Sequence, residues 1–181
     1  MTIEEGKIAS LTSICVILLR ELRTERNYHQ AQIADRIGKT PSAWTKVEAG
    51  KSPLQFETFI RVCDSMQVPP SSVLATAERY AALLSQHGWA ILTSEGALDE
   101  DQLIRHAQQY WASPGGRNQA ASRFSFLSVL NGPMYNNDGT ISLAPVFQFA
   151  LDPEFRKQQL SPPPIIPLIQ TPGVPYAVSK I

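Results

Sequence analysis

The sequence predicts an α+β protein whose N-terminal half is all α, and three observations carry that reading. Up to residue 88, apolar side chains recur at three- and four-residue spacing in five runs parted by glycine, proline or asparagine. From residue 89 the chain shifts to short branched and aromatic runs set off by strong turn signals. The stretch 161–181 then holds six prolines in an apolar setting with few charges.

The first run, 8–26, repeats Leu11, Ile14, Cys15, Leu18, Leu19 and Leu22 on a helical period and stops at Asn27-Tyr28-His29. Residues 30–37 form a short helix with Ile33, Ala34 and Ile37 inward, and Gly38 supplies the left-handed stop. Thr40 can cap the next helix with Pro41 in its first turn, where a missing N–H removes no bond. That helix runs to about residue 49, with Ala43, Trp44 and Val47 inward, and Gly50 ends it. A fourth helix, 55–66, places Phe56, Phe59, Ile60 and Cys63 on one face. After Pro69-Pro70 the run 71–86 reads as one long helix or two joined ones, closed by Gly88.

In the second half, 89–93 is a short β-prone run, and 99–111 a helix opened by Asp99, Glu100 and Asp101, which suit the positive end of its dipole. The stretches 124–130 and 140–149 carry strand composition, separated by the turn signals 131–133 and 136–139. The tail is either disordered or an extended arm laid in a groove.

Composition narrows the function. Sixteen basic and sixteen acidic side chains cancel, which counts against a tail-driven nucleic-acid binder. Hydrophobic residues make up 43% of the chain, enough for a sizeable core. Cys15 and Cys63 sit in apolar helical patterns and read as buried free thiols. The apolar run 14–19 lacks a basic leader and is too short to span a bilayer, so the expectation is a soluble, cytoplasmic chain with no membrane partner. No catalytic constellation is legible. His29, His87 and His106 have no zinc-ligand spacing with each other or with the cysteines, and there is no phosphate loop or nucleophile elbow. A self-cleaving Ser/Lys peptidase finds only Lys157 and Lys180 after Lys51, neither in a convincing strand. The aromatic pairs Tyr110-Trp111 and Phe124/Phe126 read as core before pocket lining. The expectation is a non-enzyme with no metal and no cofactor.

Two short helices with a glycine turn between them form a helix-turn-helix, whose second helix lies in the DNA major groove, about 12 Å wide. Short polar side chains near that helix's N-terminus read base edges, which explains its brevity and lack of chemistry. Its outward positions are Pro41, Ser42, Thr45 and Lys46.

Residues 18–74 resemble the Xre/Cro-type five-helix DNA-binding domain of phage repressors and bacterial regulators. The motifs that carry the resemblance, in order, are LRELRTERN, HQAQIADRIG, WTKVEAGKS and LQFETFIRVCDSMQVPPSSVL. The resemblance implies that Gln30 starts the supporting helix at a phosphate and braces the reader. It implies that Lys39, Thr40, Pro41, Ser42, Thr45 and Lys46 face bases or backbone, that Lys51 approaches phosphate, and that Arg23 and Glu48 form an internal ion pair. Three residues depart from the pattern: His29 stands for the usual Ser or Thr cap, Pro41 for a base-reading side chain, and Trp44 for a branched aliphatic.

The expected organisation is a helix-turn-helix domain at 1–74, a dimerisation or linker helix at 75–88, a smaller α+β assembly or sensing module at 89–160 and a proline-rich tail at 161–181. Residues 1–74 hold nine Lys/Arg and eight Asp/Glu, so one head alone binds DNA poorly. A homodimer on a palindromic operator follows, built by the 71–86 helix together with the C-terminal module; of the stripe Leu74, Ala77, Tyr80, Ala81 and Leu84, Leu74 is expected to cover the head's own core and the other four to form the dimer contact. The expected function is a sequence-specific transcription regulator, with repression as its sense. One alternative is an antitoxin that autoregulates its operon and holds a toxin with its C-terminal half. Another is a ligand-sensing or protein-regulating chain with a degenerate head; in each case the C-terminal module leaves a place for a protein partner or small ligand.

Overall fold

The computed structural model describes residues 6–93, 101–118 and 128–161. The expectations for Asp99, Glu100, Phe124, Phe126, Lys180 and the tail from 162 lie outside them. In the N-terminal half, a strand β1 (Ile8–Ser10) precedes helices α1 (Leu11–Glu25), α2 (Gln30–Arg36), α3 (Pro41–Glu48), α4 (Phe56–Ser65) and α5 (Pro70–Gln86). Then come β2 (Ala90–Leu92), α6 (Gln102–Ala112), α7 (Pro114–Asn118), a 3-10 turn Val129–Asn131, β3 (Met134–Tyr135), β4 (Ile141–Ser142), α8 (Pro145–Leu151) and α9 (Pro153–Leu160).

The first five helices end in the same way. Asn27, Gly38, Gly50, Gln67 and Gly88 all have positive φ. In each case the next residue's N–H bonds back five residues: Tyr28 to Arg23, Lys39 to Ala34, Lys51 to Lys46, Val68 to Cys63 and Trp89 to Leu84. This bond satisfies carbonyls that the helix end would otherwise leave open. Glycine fills three of the five positions because it alone enters the left-handed region without a Cβ penalty.

Helix α1 is the centre of the molecule. Ser13 to Leu19 are buried without a break, and Glu21 and Leu22 follow. A helix buried on every face needs cover on every face. The head supplies one side through α3 and α5, and the C-terminal half supplies the other through α6 and the 3-10 turn. Trp111 of α6 donates its indole N–H to Glu21 at 2.7 Å, and the Arg20 guanidinium lies 3.8 Å from the Trp111 ring centroid. Asp101 caps α6 by accepting the Ile104 N–H at 3.1 Å, and its other oxygen accepts the Ser10 N–H and the Ser13 hydroxyl. One buried carboxylate thus ties the N-termini of α1 and α6 together.

Several expected elements change. Residues 8–10, read as helix, form β1, which pairs parallel with β2 in the register Ile8–Ala90, Ala9–Ile91, Ser10–Leu92. The described end of 124–130 enters a 3-10 turn. The stretch 140–149 is strand only at β4, which meets β3 across the expected turn at 136–139. From Pro145 it is helix, burying Val146, Phe147, Phe149 and Ala150. Aromatic composition suggested a strand there, whereas the spacing of the buried residues and the proline in the first turn are helical.

The boundary expected at 74/75 falls inside α5, a single helix, and buried residues of both halves form one continuous core. The stripe read as a dimer seam is likewise taken up within the chain. Ala77, Tyr80 and Leu84 are completely buried and Ala81 is half-buried, while Leu74, expected in the head's own core, is exposed. Tyr80 stacks on Phe147 with ring centroids 3.8 Å apart, and its hydroxyl accepts the Ala144 N–H at 3.0 Å. The C-terminal half therefore covers the surface assigned to a second copy. A sequence stripe records the need for cover and not its source.

Candidate nucleic-acid interface

The turn between α2 and α3 is set by local chemistry. Gly38, at φ 69, closes α2, and Thr40 caps α3 by accepting the Ala43 N–H on its hydroxyl at 3.2 Å. Pro41 occupies the first turn. At the other junction Gln32 accepts the His29 N–H at 2.7 Å, so a glutamine replies to a cap position that lacks a hydroxyl.

The inner face of α3 is locked. Trp44 and Glu48 are each about 1% exposed and Val47 completes the face. Glu48 takes Arg23 Nε on Oε1 at 2.6 Å and Arg23 Nη2 on Oε2 at 3.1 Å. The same carboxylate accepts the Trp44 indole N–H at 3.0 Å and the Gln30 amide N–H at 2.6 Å. Arg23 also donates to the Tyr28 carbonyl at 2.7 Å, which fixes the chain as it leaves α1. Trp44 was legible as a departure, but not as a donor to Glu48. The signal was there in their separation by one helical turn, which sets residues on the same face.

The outer face is open. Pro41, Ser42, Thr45, Lys46, Thr40 and Lys51 are exposed, and Lys39 and Gln30 are half-buried. Ala43, expected inward, is exposed; Glu48 takes up the inward turn instead. The Thr45 hydroxyl donates to the Gln30 amide oxygen at 3.3 Å, so Gln30 bridges the exposed face of α3 to the buried carboxylate. Lys39, Thr40, Ser42 and Lys46 border a shallow groove of about 430 Å³ whose far wall is Ser52, Gln55 and Thr58. These last three were missed in the sequence, although Gln55, preceding α4, occupies a cap position. Phe56, expected inside, is 74% exposed at the start of α4, with Phe59 beneath it in the core.

The end of α3 meets the C-terminal half. A Cβ on Gly50 would come within 2.6 Å of Ile104, and the Gln108 amide donates to the Ala49 carbonyl. Helix α6 therefore braces the last turn of α3.

Among the described residues no three His, Cys, Asp or Glu side chains gather as a metal-ligand set, and no helix is long and apolar enough to cross a membrane.

Residues 16–75 match the family model of a helix-turn-helix domain, from within α1 into α5 and about a third of the chain. No curated protein and no solved structure matches the chain.

Proposed function

We propose, from the premise that residues 16–75 are a helix-turn-helix domain, that the chain is a sequence-specific DNA-binding transcription regulator of the Xre/Cro type. One observation carries the reading. Helix α3 has its inner face held by Arg23, Trp44 and Glu48 while Ser42, Thr45 and Lys46 stand exposed on the other. A probe for a groove needs that division, because base contacts discriminate only when the backbone carrying them cannot adapt.

In this reading Ser42 and Thr45 meet base edges and Pro41 makes an apolar contact, such as to a thymine methyl. Lys39, Lys46 and Lys51 meet phosphates, which position the helix without reading sequence. The chain acts by occupancy, as a repressor in the cytoplasm, and performs no catalysis. A head with one net positive charge gains little from counterion release. Two heads about 34 Å apart on an inverted repeat supply what one lacks. That homodimer uses surfaces other than the buried stripe on α5.

Footprinting on the DNA upstream of its own gene, followed by selection from a random pool, tests the reading. A two-fold symmetric protected site supports it. No protection of any fragment at low salt rejects it.

A further inference from the structure

The matched helix-turn-helix domain ends at residue 75, yet the last turn of α3 is completed by a helix outside it. The end of an α-helix leaves its last carbonyls without intrahelical partners. In α3 the Thr45, Lys46 and Val47 carbonyls accept the N–H groups of Ala49, Lys51 and Gly50. The Ala49 carbonyl takes its donor from the side-chain amide of Gln108, 59 residues further on. One turn earlier on α6, Ile104 fills the space beside Gly50, where a Cβ would come within 2.6 Å of its Cγ1. A separation of four residues sets Ile104 and Gln108 on one face of α6.

Helix α6 is itself anchored on both sides of this pair. Asp101, at its start, accepts the Ser10 N–H and the Ser13 hydroxyl at the N-terminus of α1. Trp111, in its last turn, donates to Glu21 at 2.7 Å, further along α1. Ile104 and Gln108 lie between these anchors, so α6 is a strut laid on α1 whose two side chains reach the end of α3.

The polar contacts from Arg23 and Gln30 to the inner side of α3 converge on one group, the Glu48 carboxylate. A helix pinned at one point can tilt about it. Ser42 lies six residues from Glu48, about 9 Å along the axis, so a tilt of roughly 6° moves it by about 1 Å. Base contacts tolerate only about 0.5 Å of such misplacement. Lysine–phosphate contacts tolerate more, because a flexible stem carries a point charge. Resting on the DNA-binding role proposed for α3, we infer that Gln108 and Ile104 are positioning residues for base readout. Operator discrimination then depends on the C-terminal half of the chain as well as on the head.

The full-length chain carrying Gln108→Met, which keeps the bulk of the side chain and removes its donor, tests this. Gln109→Met, at an exposed position on the same helix, is the control. Affinities are measured for the operator that wild type selects from a random pool and for a scrambled duplex of the same length. Gln108→Met is expected to bind the operator about threefold to tenfold more weakly, as the loss of one net hydrogen bond from the binding-competent arrangement implies. Its affinity for the scrambled duplex is expected to hold, and Gln109→Met to match wild type on both. Ile104→Val, which removes one methyl group beside Gly50, is expected to act in the same direction as Gln108→Met. Without DNA, amide hydrogen exchange at Ala49, Gly50 and Lys51 is expected to quicken in Gln108→Met and not in Gln109→Met. Equal losses on both duplexes, or an unchanged operator affinity with a lowered melting temperature, would leave α6 a structural role alone and overturn the inference. Unchanged exchange at these three amides would overturn it too. A wild-type chain that enriches no sequence from the pool would overturn the DNA-binding role and this inference with it, whereas variants that discriminate like wild type would overturn this inference alone.

Discussion

Arg23 of α1 and Glu48 of α3 meet side-on across the head, Nε to Oε1 at 2.6 Å and Nη2 to Oε2 at 3.1 Å, with 12% and 1% of their side chains exposed. Glu48 also accepts from Trp44 and Gln30, so a single carboxylate joins α1, α2 and α3. Removing one partner of such a pair leaves a buried charge unmet, a loss of about 3–5 kcal/mol. Glu48→Ala is expected to lower both the melting temperature and the affinity for the operator. A variant that melts like wild type yet loses DNA would place Glu48's role on the DNA side instead.

The outer face should separate readout from positioning. Ser42→Ala and Thr45→Ala are expected to relax base preference, each by about 1–3 kcal/mol if it makes a good base contact. Thr45→Ala also frees the Gln30 amide oxygen from its bond. Lys46→Ala and Lys51→Ala should weaken binding to every sequence and flatten the salt dependence by about 0.9 in log–log slope for each phosphate lost. Selection of the wild-type operator by the Ser42 and Thr45 variants would show the register to be wrong.

The helix ends give opposed expectations. Gly38 and Gly50 share φ 69, but a Cβ on Gly38 meets open space whereas one on Gly50 meets Ile104. Gly38→Ala should therefore cost only the left-handed penalty, about 1–2 kcal/mol, and Gly50→Ala distinctly more. At φ 55, Gln67 carries the same penalty in the native chain. Gln67→Gly is expected to stabilise by about 1 kcal/mol. Denaturant midpoints of the three variants check the ordering.

Asp101 should matter to the whole chain. Its carboxylate takes the Ser10 N–H, the Ser13 hydroxyl and the Ile104 N–H. Asp101→Ala leaves donors buried without an acceptor, at about 1–3 kcal/mol each. Because the halves share one core, calorimetry should show a single transition at lower temperature. Two separated transitions would mean that the halves unfold independently.

Stability should fall at alkaline pH. Burial pushes the Cys15 thiol up from 9.0 to about 11 and the Cys63 thiol, with the nearby Cys15 adding to the effect, to about 12. Burial likewise raises the Tyr80 hydroxyl from 10.0 to about 12. Above pH 9 the unfolded chain releases protons that the native chain retains, so stability present below that pH is lost as it rises towards 12. Urea midpoints across this range check the sign, and a thiol reagent near pH 8 should label both cysteines only after unfolding. Rapid labelling of the native chain would contradict their burial.

The head was legible because its signals are local. Gly38, Thr40-Pro41 and Gly50 each specify a backbone conformation within a few residues, and the apolar spacing of Ile33, Ala34, Ile37, Trp44 and Val47 fixes which face turns inward. The pairing of Arg23 with Glu48 came from resemblance, and the structure supplies its geometry. Nothing local distinguishes cover by the chain itself from cover by a second copy. Tyr80 looked the same in sequence whether Phe147 or another molecule met it. Ile8–Ser10 became a strand only because Ala90–Leu92 arrives beside it, some eighty residues later. Lys7 and Arg156, at opposite ends of the described chain, likewise come to line one cavity only through tertiary packing. Sequence alone determined the helices of the head and their ends, since these follow from nearest-neighbour sterics and periodicity. Tertiary structure alone decided what covers α1 and α5, because burial is a property of surfaces brought together and not of the segments that carry them.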